Sequence, residues 1–213
     1  MDISNADDFR ILTVCTGNIC RSPLAEQYIR AGLTENGVVR ASVSSAGTRA
    51  QTGQDMPEQA WALATDYGLE AGNHRARRLS ERDIREADIV LAMGREHRKD
   101  VALLHPRAAR RTFTLREFAR LATGMTTDDL AGAAALPLAD EVGRLRAAVD
   151  AVVARKGFVE APDDPLDDDV VDPYRRSDAT YAQSGRQLVP AADVFIKILA
   201  VAARMTDDRR TTS

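Results

Sequence analysis

Four short runs rich in β-branched and apolar residues alternate with segments of helical periodicity along the chain. The runs lie at 11–14, 41–46, 88–93 and 111–115. This alternation predicts an α/β fold in which a four-stranded parallel sheet is flanked by helices on both faces. Ligands of such sheets bind beyond the carboxyl ends of the strands, so functional residues are expected just after a run.

Helical periodicity predicts the segments that cover the sheet. The first helix is predicted at 23–36, with Ser22 as its cap and Pro23 at its first position. A long helix is predicted over 178–204, where Pro190 should kink or restart it. Shorter helices are predicted at 57–67, 81–87 and 95–103.

Residues 119–169 depart from this pattern. They are predicted to form a loop rich in Ala, Thr and Gly, then one helix at 138–156 with apolar residues on one face, then an acidic stretch broken by prolines. We predict a single domain over 1–213, in which 119–169 is an insertion of unassigned role and 205–213 is a frayed tail.

Composition narrows the classes of function. The chain has 213 residues and a net charge of −3, which argues against a general affinity for nucleic acid. The N-terminus lacks the apolar core of a signal peptide, and the most apolar stretch, VFIKILAVAA, is too short to span a bilayer. We therefore expect a cytoplasmic protein that does not insert into membranes. Its two cysteines do not make a disulfide framework.

Both cysteines lie in the stretch CTGNICRSP, between the first predicted strand and the first predicted helix. A loop in this place presents unpaired backbone N–H groups, and the helix dipole adds partial positive charge. These surroundings favour the thiolate of Cys15, which is then placed to attack phosphorus, while Arg21 binds two oxygens of the same group. We expect a phosphate to be held by Thr16, Gly17, Asn18, Ile19, Cys20, Arg21 and Ser22.

Attack by a thiolate leaves an alkoxide or phenoxide that needs a proton. A carboxylic acid is therefore expected opposite Cys15. Asp172, in the stretch VVDPY, is the best candidate because Pro173 stiffens the chain after it. Three neighbouring aspartates at 167–169 compete for the role, so local sequence alone leaves the choice open.

Together these residues resemble the low-molecular-weight protein-tyrosine phosphatases, in particular their bacterial branch. The resemblance implies a phosphotyrosine phosphatase I-like fold and a two-step reaction that requires no metal or other cofactor. Cys15 would form a phosphocysteine, Asp172 would protonate the leaving group and then activate water, and inorganic phosphate would be the product. The matching segments are CTGNICRSP, SSAGT at 44–48, HRARRLS at 74–80, ADIVLAM at 87–93 and VDPY at 171–174.

The resemblance also implies supporting roles. Ile19 and Tyr174 are expected to line the substrate cleft, and Asn18 to need an unusual backbone conformation, which asparagine tolerates. Cys20 has two interpretations: a small buried loop residue, or a partner that traps oxidised Cys15 as a disulfide. Four residues match the hydrogen-bond network behind the family's loop: Asn18, Ser22, Ser45 and His74.

Phosphotyrosine in proteins is the substrate that these features favour, and a bacterial tyrosine kinase of polysaccharide export is the partner that the resemblance implies. The sequence departs from the family in lacking an aromatic after SSAGT and in carrying Arg175 and Arg176 after VDPY. Three alternatives remain. Arginine phosphatases resemble this loop but carry threonine where Ile19 stands, arsenate reductases of the related type need further redox cysteines, and a phosphopeptide-binding module needs no turnover.

Overall fold

The computed structural model describes residues 8–70 and 72–206, so most of the predicted tail lies outside the described residues. A parallel sheet of four strands in the order β2-β1-β3-β4 forms the centre of the molecule. The predicted four-stranded parallel sheet is confirmed. The strands are β1 (Phe9–Cys15), β2 (Ala41–Gly47), β3 (Ile89–Ala92) and β4 (Thr112–Thr114).

Helices connect these strands and cover the sheet. Short 3-10 helices lie at Pro106–Arg111, Asp128–Leu130 and Pro165–Asp168. Within the described ranges, no helix is both long and apolar enough to cross a membrane. The α-helices of this part of the chain are α1 (Arg21–Glu35), α2 (Glu58–Asp66), α3 (Glu81–Glu86), α4 (Arg95–Leu104), α5 (Leu115–Ala122), α6 (Ala131–Ala134), α7 (Glu141–Ala154) and α8 (Asp178–Arg204).

The two faces of the sheet bury two separate apolar clusters, because successive side chains of a strand point to opposite sides. From β1, Phe9 and Ile11 enter the larger cluster, with buried residues of α1, α5, α7 and α8. Leu12 and Val14 enter the smaller cluster, which includes Ile84 of α3 and residues of α4. Helices therefore flank both faces of the sheet, as the sequence predicts.

The predicted cap of α1 was wrong, and α8 does not restart at Pro190. Helix α1 begins at Arg21, so Ser22 lies inside its first turn and does not cap it. The Ser22 hydroxyl instead contacts the Cys15 thiol. Helix α8 continues through Pro190 without restarting. Packing of α8 against α1 and α5 stabilises the helix across this position, although an interior proline costs roughly 3 kcal/mol.

The segment 119–169 contributes to the core. Part of the predicted loop is helical, and its Leu130 and Ala133 are buried. The predicted helix 138–156 is observed as α7, which begins after Asp140 because that carboxylate accepts a hydrogen bond from Gly143 N at 3.0 Å. One face of α7 packs into the larger cluster.

Arg144 ties α7 to the end of the chain. Its side chain is 1% exposed. The guanidinium Nε donates to the carbonyl of Ala202 at 2.8 Å, and Nη1 donates to that of Leu136 at 2.6 Å. Nη2 donates to the carbonyl of Met205, just beyond the end of α8. A cation in this place satisfies carbonyls that the helix leaves unpaired and opposes the negative end of its dipole.

Replacing Arg144 with leucine should lower the free energy of unfolding by about 3 kcal/mol, because three carbonyls lose their donors. Urea unfolding measures the change. Arg146→Leu is the matched control: Arg146 lies on the same helix but forms a largely exposed pair with Asp88, so its loss should cost under about 1 kcal/mol. Equal losses for the two variants would show that the carbonyl contacts do not stabilise the fold.

Candidate active site

The loop that follows β1 turns its carbonyl groups outward. The carbonyl oxygens of Cys15, Thr16 and Gly17 accept hydrogen bonds from the backbone N–H groups of 48, 49 and 51, at 2.9, 3.0 and 2.9 Å. Because no peptide bond in the described chain is cis, each N–H points away from the carbonyl of its own peptide unit. The N–H groups that follow these three carbonyls therefore face the inside of the loop, as an anion site requires.

The thiol of Cys15 lies at the floor of this loop. Its Sγ accepts a hydrogen bond from the backbone N–H of Asn18 at 3.3 Å and lies 3.0 Å from Ser22 Oγ. The residue is only 2% exposed. The backbone donor and the neighbouring hydroxyl hold the sulfur in place at the base of the loop. These contacts suit a nucleophile held beneath an anion.

Asn18 holds the loop in shape. Its φ is 54°, in the left-handed region that asparagine tolerates better than most residues. The side-chain Nδ2 donates to Ser22 Oγ at 3.0 Å and to Ser45 Oγ at 2.8 Å, and Oδ1 accepts from Arg77 N at 2.8 Å. His74 Nε2 lies 2.6 Å from the carbonyl oxygen of Asn18. The structure thus brings all four predicted network residues together.

The glycine of SSAGT has a role that sequence reasoning missed. Gly47 pairs with Cys15 in the register of β1 and β2. A Cβ atom on Gly47 would lie 2.5 Å from the carbonyl oxygen of Thr16 and 3.0 Å from the backbone N of Asn18. Contacts this short are not tolerated by backbone atoms, so only glycine lets β2 approach the loop.

Arg21 and Asp172 meet at the mouth of the loop. Arg21 Nη2 lies 2.7 Å from Asp172 Oδ2, and Nη1 donates to the carbonyl of Val170 at 3.1 Å. The arginine is buried, whereas the aspartate side chain is 50% exposed. Asp172 also accepts a hydrogen bond from Tyr174 N at 3.2 Å, which fixes the turn after it. The carboxylate therefore stands beside the guanidinium, within reach of a bound group.

Two of the three competing aspartates have other partners. Asp168 receives two hydrogen bonds from the Arg120 guanidinium, at 3.1 and 2.8 Å. The Asp169 carboxylate accepts from Arg95 N at 2.8 Å, at the start of α4. Asp172 lines the cavity above Cys15, and none of the residues 167–169 does. The geometry thus favours Asp172, the candidate that the local sequence ranks first, over its three neighbours.

The cavity above Cys15 has a volume of about 130 Å³. Ile19 and Tyr174 stand in its walls, as the resemblance implies, and the Tyr174 hydroxyl donates to Gln51 Oε1 at 3.3 Å. Gln51 and Arg49, which sequence reasoning missed, supply a polar rim. The sequence feature that could have indicated these two residues is the absence of an aromatic residue after SSAGT. The remaining lining residues are Thr16, Gly17, Cys20 and Arg21.

The second cysteine has an environment unlike that of the first. Cys20 is buried, and its Sγ lies 3.8 Å from the hydroxyl of Tyr181. Burial raises the pKa of the Cys20 thiol to about 12. The thiol form is therefore the stable one near neutral pH, and Cys20 does not compete with Cys15 as a nucleophile. A disulfide between them stays a prediction.

His97 is a further residue that sequence reasoning missed. It lies in the first turn of α4, and its Nε2 is 2.8 Å from the hydroxyl of Thr16. The sequence feature that could have indicated His97 is its position just after the third predicted strand, because the ends of parallel strands lie at the same edge of the sheet as the loop after β1. Within the described residues, no group of three or more His, Cys, Asp or Glu side chains has the arrangement of a metal site.

This arrangement suits displacement at a tetrahedral phosphorus atom. A thiol accepts a hydrogen bond from a loop N–H, and the Arg21 guanidinium and the Asp172 carboxylate line the same small cavity as the thiol. These are the nucleophile, the charge stabiliser and the proton donor that such a reaction needs.

Comparisons with known proteins agree with this description. The family model described as low molecular weight phosphotyrosine protein phosphatase matches residues 10–129. A probable low molecular weight protein-tyrosine-phosphatase, EpsP of Ralstonia solanacearum, is 32% identical over 145 residues, which cover 68% of this chain and 94% of the relative. A protein-arginine-phosphatase of Geobacillus stearothermophilus is 38% identical over 125 residues, or 58% of this chain and 80% of the relative.

Solved structures show the same fold. The low molecular weight protein tyrosine phosphatase from T. tengcongensis superposes with a TM-score of 0.63 and 27% sequence identity. The superposition covers 89% of this chain and 99% of that chain. The match to the family model ends at 129, before Asp172, so the place of the acid rests on the geometry described above.

Proposed function

The chain belongs to the low molecular weight phosphotyrosine protein phosphatase family, and we propose that it hydrolyses phosphotyrosine in proteins through a phosphocysteine on Cys15. One observation carries this proposal: the Cys15 thiol faces inward N–H groups while Asp172 stands beside Arg21 at the mouth of the same cavity. This arrangement supports an in-line displacement, in which the attacking and leaving atoms lie on opposite sides of phosphorus.

In the first step, the Cys15 thiolate attacks phosphorus and the bond to the tyrosyl oxygen breaks. Asp172, protonated, gives its proton to that oxygen, so tyrosine leaves neutral. The inward N–H groups and Arg21 bind the equatorial oxygens as charge shifts among them. The products of this step are a phosphocysteine and the Asp172 carboxylate.

In the second step, Asp172 accepts a proton from water as the water oxygen attacks the phosphocysteine. The S–P bond breaks, inorganic phosphate leaves, and the Cys15 thiolate is restored. The Ser22 hydroxyl, 3.0 Å from Cys15 Sγ, stabilises that thiolate as the leaving group. Both steps use side chains of this chain and water.

The walls of the cavity support an aromatic substrate. Ile19 presents a branched apolar side chain, and Tyr174 presents its ring, so a phenyl group can pack between them. Arg49 on the rim and Arg175, whose guanidinium lies 5.1 Å from the Tyr174 ring centre, add positive charge near the mouth. This charge favours phosphotyrosine with acidic neighbours.

Arginine phosphatase activity is the second candidate, because two relatives that are 38% and 35% identical to the chain are protein-arginine-phosphatases. Ile19 argues against it, since an apolar wall disfavours a hydrated guanidinium. Arsenate reduction of the related type is disfavoured because Cys15 and Cys20 are the only two cysteines of the chain. The tyrosine kinase of polysaccharide export as a partner, and the cytoplasmic location, stay predictions.

Purified protein should hydrolyse phosphotyrosine peptides in the presence of EDTA, and faster than phosphoarginine or phosphoserine peptides. Changing Ile19 to threonine should lower kcat/KM for phosphotyrosine about 10-fold and shift preference toward phosphoarginine, because the apolar wall is lost. Val39→Thr, at an exposed position, is the control. Faster turnover of phosphoarginine than phosphotyrosine by the unaltered protein would contradict the proposed substrate.

A further inference from the structure

His97 is a buried titratable residue that the two-step mechanism does not use. It is 1% exposed. The turn that carries it, between β3 and α4, is held in place, since Met93 O accepts a hydrogen bond from Val170 N at 2.9 Å and Arg95 N donates to Asp169. The imidazole is therefore fixed against the first residue after the nucleophile, Thr16, with Nε2 at 2.8 Å from Oγ1.

The surroundings of the ring show which nitrogen carries a proton. Glu96 Oε1 lies 3.3 Å from the same Nε2, and a carboxylate can only accept a hydrogen bond. An unprotonated Nε2 would point its lone pair at the Glu96 carboxylate, which is repulsive. We therefore assign the proton to Nε2. Nδ1 is buried and has no partner among the described residues. A proton on Nδ1 would leave a buried donor unsatisfied.

His97 carries only this one proton at working pH. Burial, and then the positive charges of Arg21 and Arg49, lower its pKa to about 3. The neutral ring therefore donates from Nε2 to Thr16 Oγ1. The threonine hydroxyl cannot donate its own hydrogen back to that nitrogen, so this hydrogen is available for another acceptor.

Thr16 lines the cavity above Cys15, together with Arg21. Within the described chain, its hydroxyl makes no hydrogen bond other than the one from His97. We propose that His97 is a positioning residue that orients the Thr16 hydroxyl as a hydrogen-bond donor to the phosphoryl group in the cavity. Thr16 thereby adds a side-chain donor to the N–H groups and Arg21.

This inference deepens the proposed function and rests on it for the identity of the bound group. A donor to a charged oxyanion, held by a rigid neighbour, strengthens binding without reorganisation. The bound oxyanion should therefore lose affinity whether the donor itself or the residue that orients it is removed. The two losses should not add, because they remove the same hydrogen bond.

The experiment measures the affinity of inorganic phosphate by titration and the turnover of an aryl phosphate. The variants are Thr16→Val, His97→Met and the double variant. Each single variant should weaken phosphate binding and lower kcat/KM about 10-fold, and the double variant should lose no more than either. His97→Gln, which keeps an N–H near the place of Nε2, should recover most of the affinity lost in His97→Met.

His105→Met is the control, since His105 lies just after the far end of α4 and pairs with Glu81. It should leave phosphate affinity unchanged. Additive losses for Thr16→Val and His97→Met, or unchanged phosphate affinity with lowered thermal stability alone, would overturn the inference. If the variants show the expected non-additive losses of phosphate affinity but the unaltered protein does not turn over phosphotyrosine, the proposed function fails and the inference stands. No phosphate binding at all would overturn both.

Discussion

Replacing Cys15 with serine should lower the turnover of an aryl phosphate by at least about 10⁴-fold, because the proposed covalent intermediate forms on the Cys15 sulfur. A serine hydroxyl stays protonated near neutral pH and lacks the nucleophilicity of a thiolate. The inward N–H groups and Arg21 remain. Binding of inorganic phosphate, measured by titration, should therefore persist.

Cys20→Ser is the matched control, since it removes the other thiol of the same loop. The Cys20 thiol stays protonated and buried, so this variant should retain turnover within about 10-fold of the unaltered protein. A loss as large as that of Cys15→Ser would contradict the assignment of the nucleophile. Trapping with a radiolabelled substrate should show phosphate on Cys15 and none on Cys20.

Asp172→Asn should lower kcat about 10²- to 10³-fold on substrates with poor leaving groups, such as phenyl phosphate. On a nitrophenyl phosphate the loss should be under about 10-fold, because that leaving group departs without a proton. The reason is the place of Asp172, whose carboxylate stands at the mouth of the cavity. A series of aryl phosphates of graded leaving-group acidity measures the dependence.

Asp167→Asn is the control for this prediction, since it removes an exposed carboxylate five positions earlier. It should not change the dependence on the leaving group. An equal loss across the whole series for Asp172→Asn would show that the residue only positions Arg21. If Asp169→Asn shows the graded loss and Asp172→Asn does not, the assignment of the acid is wrong.

The sequence alone is sufficient to predict the four-stranded sheet, the parallel direction of its strands and the position of the candidate anion loop. Strand-helix alternation limits the topology to a parallel sheet, and such a sheet places the residues after β1 at the ligand-binding edge. Cys15 and Arg21 are separated only by the loop between the end of β1 and the start of α1. These features depend on residues close together in sequence, so they can be predicted from local patterns.

The segment 119–169 shows where local patterns are insufficient. A run of Ala, Thr and Gly predicts a loop, yet Leu130 and Ala133 enter the core. Arg144 looks like a surface residue of an amphipathic helix, yet it donates to the carbonyls of Ala202 in α8 and Met205 just beyond it, 58 and 61 positions later. Tertiary burial overrides propensity here, because the partners that satisfy these groups are far away in sequence.

In the candidate active site, too, local sequence and tertiary structure contribute different information. The sequence by itself determined which loop is the candidate anion site and which cysteine and arginine are the proposed nucleophile and clamp, since these follow from composition and spacing within one short stretch. The sequence only ranks Asp172 ahead of its neighbours, and the tertiary structure decided that Asp172 lines the cavity above Cys15 while residues 167–169 do not, and that His97 meets Thr16. These outcomes depend on contacts across 81 positions between Thr16 and His97 and 151 positions between Arg21 and Asp172 (97 − 16 and 172 − 21). Such contacts exist only once the β3–α4 turn and the segment before α8 pack against the end of β1.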